Sequence, residues 1–94
     1  ERQKASRLTV LRVSVISPDA SLFEGHATAV VVPAFDGEVG ILTGHAPLMT
    51  LLGKGELRVD AASGGGARRF TIEGGFLQVV NNQVRVVTER GSPV

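Results

Sequence analysis

Short runs of alternating apolar and polar residues, interrupted by glycine every few positions, constrain this chain more than any other feature. Val occupies 14 positions and Gly 12 of the 94 residues, a balance that favours pleated strands closed by turns. No stretch keeps a helical period over the roughly 10 residues of a typical helix. From Leu8 to Ser17, Thr9, Leu11, Val13 and Val15 alternate with Val10, Arg12 and Ser14, predicting a long strand with one more polar face that Pro18-Asp19 ends. Ser21 to Glu24 forms a short segment before Gly25. Thr28 to Val32 has few polar interruptions and reads as a strand buried on both faces, with Val31 in the core.

Asp36-Gly37 signals a tight turn, after which Glu38 to Leu42 returns as the second half of a hairpin. Thr43-Gly44-His45-Ala46-Pro47 is irregular and leads into the apolar Leu48 to Leu52. Period-two alternation is clearest beyond Gly55, where Leu57 and Val59, then Phe70 and Ile72, alternate with charged or polar neighbours across the Ser63-Gly64-Gly65-Gly66 tip. Gly74-Gly75 and Asn81-Asn82 bound a strand from Phe76 to Val80, and Val84, Val86 and Thr88 mark the last one. About nine short strands at this spacing predict an all-β fold, a flattened antiparallel sandwich or barrel.

The chain length admits one domain. It is read as a polar N-terminal arm over 1–7, the β domain over 8–90 and a short tail over 91–94. With 43% hydrophobic and 20% charged residues a compact core is expected, and with no cysteine it cannot be stapled by disulfides. The same absence removes thiolate catalysis, iron–sulfur clusters and Cys-type zinc sites. A net charge of +1 and aromatic residues limited to four Phe argue against nucleic acid as a partner. The longest apolar run, Ala29 to Phe35, falls far short of the roughly 20 residues of a membrane-spanning helix.

Catalytic groups have no evident home. His26 and His45 are the only histidines, and neither has the spacing to Asp36 or Glu38 of a metal site, so no metal is expected. No Gly-x-Ser-x-Gly elbow positions a nucleophile. Gly64-Gly65-Gly66 before Arg68-Arg69 precedes a strand, whereas a phosphate cradle needs a helix N-terminus, and Lys54 in Gly53-Lys54-Gly55 lacks the P-loop context. The segment from Pro33 to Pro47 remains, dense in Gly and Pro, with Asp36 and Glu38 at its tip and a histidine. Its glycines supply turns and bulges, or they shape a docking loop whose acidic side chains orient a polar partner. Spacing alone leaves both readings open.

Phe23-Glu24-Gly25, the run from Val32-Pro33-Ala34-Phe35-Asp36-Gly37-Glu38 through Gly44-His45-Ala46-Pro47 to Thr50, and Gly74-Gly75-Phe76-Leu77-Gln78-Val79 together resemble the epsilon subunit of F-type ATP synthases. The resemblance runs from about Leu8 to Glu89. It implies a β-sandwich of about ten strands in the central stalk, a noncatalytic rotor subunit without cofactors. Such a subunit binds the gamma subunit, rests on the ring of c subunits within the ATP synthase complex and helps couple ion flow to ATP synthesis. It would sit peripherally at the cytoplasmic face of the bacterial plasma membrane. Carried over by position, Asp36, Gly37 and Glu38 lie in the loop facing the c-ring, and Ser17, His45 and Thr50 near gamma. Two departures stand out. The family usually has Pro at the position of Thr43, and many relatives continue into a helical pair that binds ATP or inhibits hydrolysis, whereas Gly91-Ser92-Pro93 opposes a helix here, so those two properties are not expected to carry over. From a different class, a free-standing β-sandwich that binds a polar small molecule through its Gly-rich loops is the alternative reading.

Overall fold

The alternating runs form seven strands in the computed structural model, which describes residues 10–62 and 66–94. The N-terminal arm, the first two residues of the expected opening strand and the Ser63-Gly64-Gly65 part of the hairpin tip lie outside those residues. In chain order the strands are β1 (Leu11–Ile16), β2 (Ser21–Ala34), β3 (Gly37–Leu42), β4 (Leu48–Leu51), β5 (Lys54–Ala61), β6 (Ala67–Val80) and β7 (Gln83–Pro93).

The count is lower than expected because two pairs of segments are continuous. Gly25 does not end a strand: it sits in the β1–β2 ladder opposite Val13, with the Phe23 ring covering the space a side chain would take. Gly74-Gly75 likewise lies inside β6. There the strand changes partner, pairing with β5 up to Glu73 and with β4 from Phe76 onward, while β7 stays alongside throughout. Both glycines have positive φ, +71° and +103°, and a Cβ on Gly75 would lie 1.9 Å from the Val87 carbonyl oxygen. The corner is therefore open only to glycine. β2 makes the corresponding change near Thr28, where the register slips and its neighbour switches from β1 to β3.

Neighbouring strands run β1-β7-β6-β5-β2, and β1 pairs again with β2, closing a ring of five to which β3 adds beside β2 and β4 beside β6. Every pair is antiparallel except β1–β7. That exception is geometrically required, because strand direction cannot alternate all the way around an odd ring. The expected all-β sandwich or barrel is thus the fold, with one parallel seam where the first and last strands meet.

Leu11, Val13 and Val15 of β1, Leu57 and Val59 of β5, Phe70 and Ile72 of β6, and Val84 and Val86 of β7 all point into one core, as their alternation predicts. The Phe23 ring meets Phe70 edge-on at 6.4 Å between centroids, and the Arg68 guanidinium lies 5.6 Å from the Phe23 centroid. Val31 is corrected: Val30 and Val32 are fully buried, whereas Val31 is only half-buried, so the run alternates and is enclosed on both faces only at Val32-Pro33-Ala34. The tail boundary also moves, since Gly91, Ser92 and Pro93 pair with Ile72, Thr71 and Phe70 in the β6–β7 ladder.

Candidate docking surface

Asp36 lies at the tip of the β2–β3 hairpin, in a two-residue loop, Phe35-Asp36, closed by the Ala34–Gly37 pair. Gly37 has φ +132°, a conformation that a side chain would strain. Asp36, Gly37 and Glu38 are all exposed. The Phe35 amide donates to the Leu51 carbonyl at 3.0 Å, which ties this tip to the end of β4.

The next turn, Leu42-Thr43-Gly44-His45, is closed by the His45 amide donating to the Leu42 carbonyl, with Gly44 at φ +82°. Those features match a type II turn, in which the second position, here Thr43, favours proline. The Gly44 amide donates to Asn82 Oδ1 at 2.7 Å, and Asn82 O accepts the Arg12 amide. Asn82, in a positive-φ pair with Asn81 at the β6–β7 turn, therefore anchors the His45 loop. His45 is half-buried, with Nδ1 2.7 Å from the Ala46 carbonyl oxygen.

Ser17 and Thr50 face inward more than the loop residues do. Ser17 is buried, and its Oγ donates to Ala20 O at 3.2 Å and accepts from the Ala20 amide, so the hydroxyl holds the turn around Pro18-Asp19. Thr50 pairs with buried Leu77 and is half-buried on the core side of β4. Met49 and Leu51 project to the opposite, solvent side and are each 64% exposed.

Across the outer face the strand registers align a row that alternation along the chain does not reveal. Ile16 pairs with Val87, Val87 with Phe76, and Phe76 with Leu51, placing four apolar side chains from β1, β7, β6 and β4 on one line. Met49 and Phe76, with Thr50 and Leu51, line a shallow apolar depression there. One pleat repeat along, the face turns polar through Ser14, Arg85 and Gln78, where Ser14 Oγ donates to Glu24 Oε2 at 2.8 Å. Ser17 follows Ile16 at one end of the apolar row, the Asp36 tip adjoins Leu51 at the other, and the His45 turn leads into the opposite end of β4. The missed signal was Leu48 to Leu52, a run without alternation on a strand with a single ladder partner. Its apolar residues fall on both faces of β4, Leu48 toward the core and Met49 and Leu51 in water.

Among the described residues, no three His, Asp or Glu side chains converge as metal ligands, and no helix is long and apolar enough to cross a membrane.

Residues 10–93 match the family model described as "ATP synthase, Delta/Epsilon chain, beta-sandwich domain". The ATP synthase epsilon chain of Nostoc punctiforme is 42% identical over 87 residues, covering 89% of this chain and 64% of that relative. The epsilon chain of a Synechococcus species is 44% identical over 80 residues, covering 85% of this chain and 57% of the relative. The chain thus spans about six tenths of the length of these curated relatives. Among solved structures, a chain of the Euglena gracilis mitochondrial ATP synthase, from an assembly of OSCP, F1 and c-ring, superposes with a TM-score of 0.82 at 26% identity, covering 90% of this chain and 54% of that one. By its strand arrangement and by a family match that spans nearly all of its length, the chain belongs to the delta/epsilon-chain β-sandwich family of ATP synthases.

Proposed function

We propose that the chain acts as a noncatalytic central-stalk subunit of an F-type ATP synthase, binding the gamma subunit and the c-ring and helping couple ion translocation to ATP synthesis. The observation that carries this reading is the apolar row Ile16–Val87–Phe76–Leu51, widened by Met49 and lying beside the exposed acidic tip at Asp36. Contiguous apolar side chains left in water mark a surface for another protein rather than a small polar ligand. The relatives named as epsilon chains and the solved assembly containing F1 and c-ring supply the partner class.

In this arrangement gamma covers the outer face of β4, β6 and β7, with His45 and the end of β1 at its margins. Ser17 and Thr50 contribute from beneath, Ser17 by shaping the β1–β2 turn and Thr50 by holding β4 against the core. Asp36 at the hairpin tip, with Gly37 and Glu38 at the start of β3, meets the c-ring. The subunit is peripheral, on the cytoplasmic side of the bacterial plasma membrane. Co-purification tests the proposal: the chain should elute with recombinant gamma and, in reconstituted complexes, with the membrane sector. A chain that binds neither would refute the stalk assignment and return the free-standing binding module to first place.

A further inference from the structure

The free edge of β3 carries a second recognition element that the apolar row does not account for. At the end of β2, the Pro33 carbonyl accepts the Gly53 amide and the Phe35 amide donates to Leu51, so the backbone groups of these two residues point away from β3. Backbone direction alternates along a strand, so Ala34, Val32 and Val30 point toward β3, where they face Gly37, Val39 and Ile41. Glu38, Gly40 and Leu42 must then aim their amides and carbonyls outward. Among the described residues, β3 pairs with β2 alone and only the Leu42 carbonyl finds a backbone partner on that side, the His45 amide.

Among the described residues, and apart from the charge of Glu38, the edge lacks the usual protections. Proteins blunt free strands with proline, lysine, bulges or a covering element. Here the central outward residue is Gly40, with nothing within 4 Å of where its Cβ would be, and all three outward residues are exposed. A subunit that covered this edge without pairing it would bury unsatisfied amides and carbonyls, a large cost that an added strand avoids.

The geometry points to strand addition: an extended segment of the gamma subunit pairs antiparallel with β3 and extends the sheet by one strand. This inference rests on the stalk reading given above. Gamma is the fitting occupant because the edge leads away from the acidic tip, through the His45 loop, into β4 and its apolar face. Side chains directly opposite share a face, so the segment should present an apolar residue opposite Leu42, a bulky one over Gly40 two positions later, and a basic one opposite Glu38 two positions after that. A second copy of this chain fits poorly in the registers centred on Gly40 or Glu38. Two-fold pairing about Gly40 sets each Glu38 against Leu42 and leaves two glycines facing, and pairing about Glu38 opposes like charges.

Amide-resolved hydrogen exchange on the full chain, alone and with recombinant gamma, tests this. In the free chain the Val39 and Ile41 amides should exchange slowly and those of Glu38 and Gly40 rapidly. In the complex the latter two should slow at least ten-fold. Gly40→Pro, which removes an outward amide, should weaken gamma binding at least ten-fold with β2–β3 exchange unchanged. A complex in which the Glu38 and Gly40 amides stay fast overturns strand addition and leaves the stalk reading standing. No complex at all overturns both. Protection that grows with the concentration of the chain alone shows self-pairing and overturns the assignment to gamma.

Discussion

Replacing Gly75 by alanine tests whether the β6 corner holds the docking face together. The new Cβ would stand 1.9 Å from the Val87 carbonyl oxygen and 2.8 Å from Thr88 Cα, both backbone atoms that cannot rotate aside. Relief requires β6 and β7 to separate by roughly 1 Å, in the range where overpacking costs about 1–3 kcal/mol. The φ of +103° adds about 1–2 kcal/mol for a residue with a side chain. The displacement also strains buried Thr88, whose Oγ1 donates to the Arg90 carbonyl at 2.8 Å and approaches the Glu73 carbonyl and amide.

Together these place the loss at about 2–5 kcal/mol, a large share of the roughly 5–15 kcal/mol that holds a small domain folded. Urea denaturation followed by far-ultraviolet circular dichroism measures it, with Gly40→Ala as the control. That position has open space, and its substitution should change stability by less than about 0.5 kcal/mol. Because Gly74-Gly75 is where β6 passes from β5 to β4, any folded Gly75→Ala protein should also bind gamma more weakly. A loss below about 1 kcal/mol would show that the corner relaxes cheaply and that its glycines are not structurally required.

Other expectations are simpler to state. Val30→Asp buries an unpaired charge at a fully enclosed position and should prevent folding, whereas half-buried Val31→Asp should leave a folded protein; heteronuclear NMR spectra distinguish them. Leu51→Ser with Phe76→Ser should reduce gamma affinity at least ten-fold, about 1.4 kcal/mol, in a titration while leaving the melting temperature within a few degrees. Reversing charge at both Asp36 and Glu38 should impair c-ring attachment or proton pumping with a stability change within about 0.5 kcal/mol. Thr43→Pro should stabilise the fold by about 0.4–1 kcal/mol in denaturant titrations, because the second position of this turn suits proline and residue 42 before it is extended.

The fold was legible wherever one face of a strand meets water. Leu57 and Val59, or Val84 and Val86, declare their side of the sheet by alternating with charged residues, and Asp36-Gly37 declares its hairpin through local turn chemistry. Glycine was ambiguous, since Gly25 and Gly74-Gly75 read as breaks and lie inside continuous strands, Gly75 at a close backbone approach that only tertiary contacts reveal. The loop residues of the candidate surface were visible in order and spacing. The apolar row was not, because Ile16, Val87, Phe76 and Leu51 become neighbours only through registers between strands distant in sequence. Asn82 was similarly hidden, its side chain acting 38 residues away on Gly44.

The apolar row and the β3 edge make different demands on a partner, and their separation has a mechanical consequence. Apolar contact is proportional to area and indifferent to direction, so the face of β4, β6 and β7 alone would let a docked subunit slide or rotate. Ladder hydrogen bonds fix register to a single residue, since a one-residue slip turns every side chain of the added strand to the wrong face. A rotor subunit that transmits torque needs both properties, affinity from burial and a fixed angular position from directional bonds. β4 is too short to supply the second: of its four residues only Met49 and Leu51 direct their backbone away from β6, and the Leu51 carbonyl already accepts the Phe35 amide. β3, continuous with the acidic tip at one end and with the His45 loop at the other, connects the two proposed partner contacts through one strand whose inner side is locked to β2. Weakening its outer edge should therefore lower coupling even in the complexes that still assemble, whereas weakening the apolar row should reduce coupling only in step with assembly.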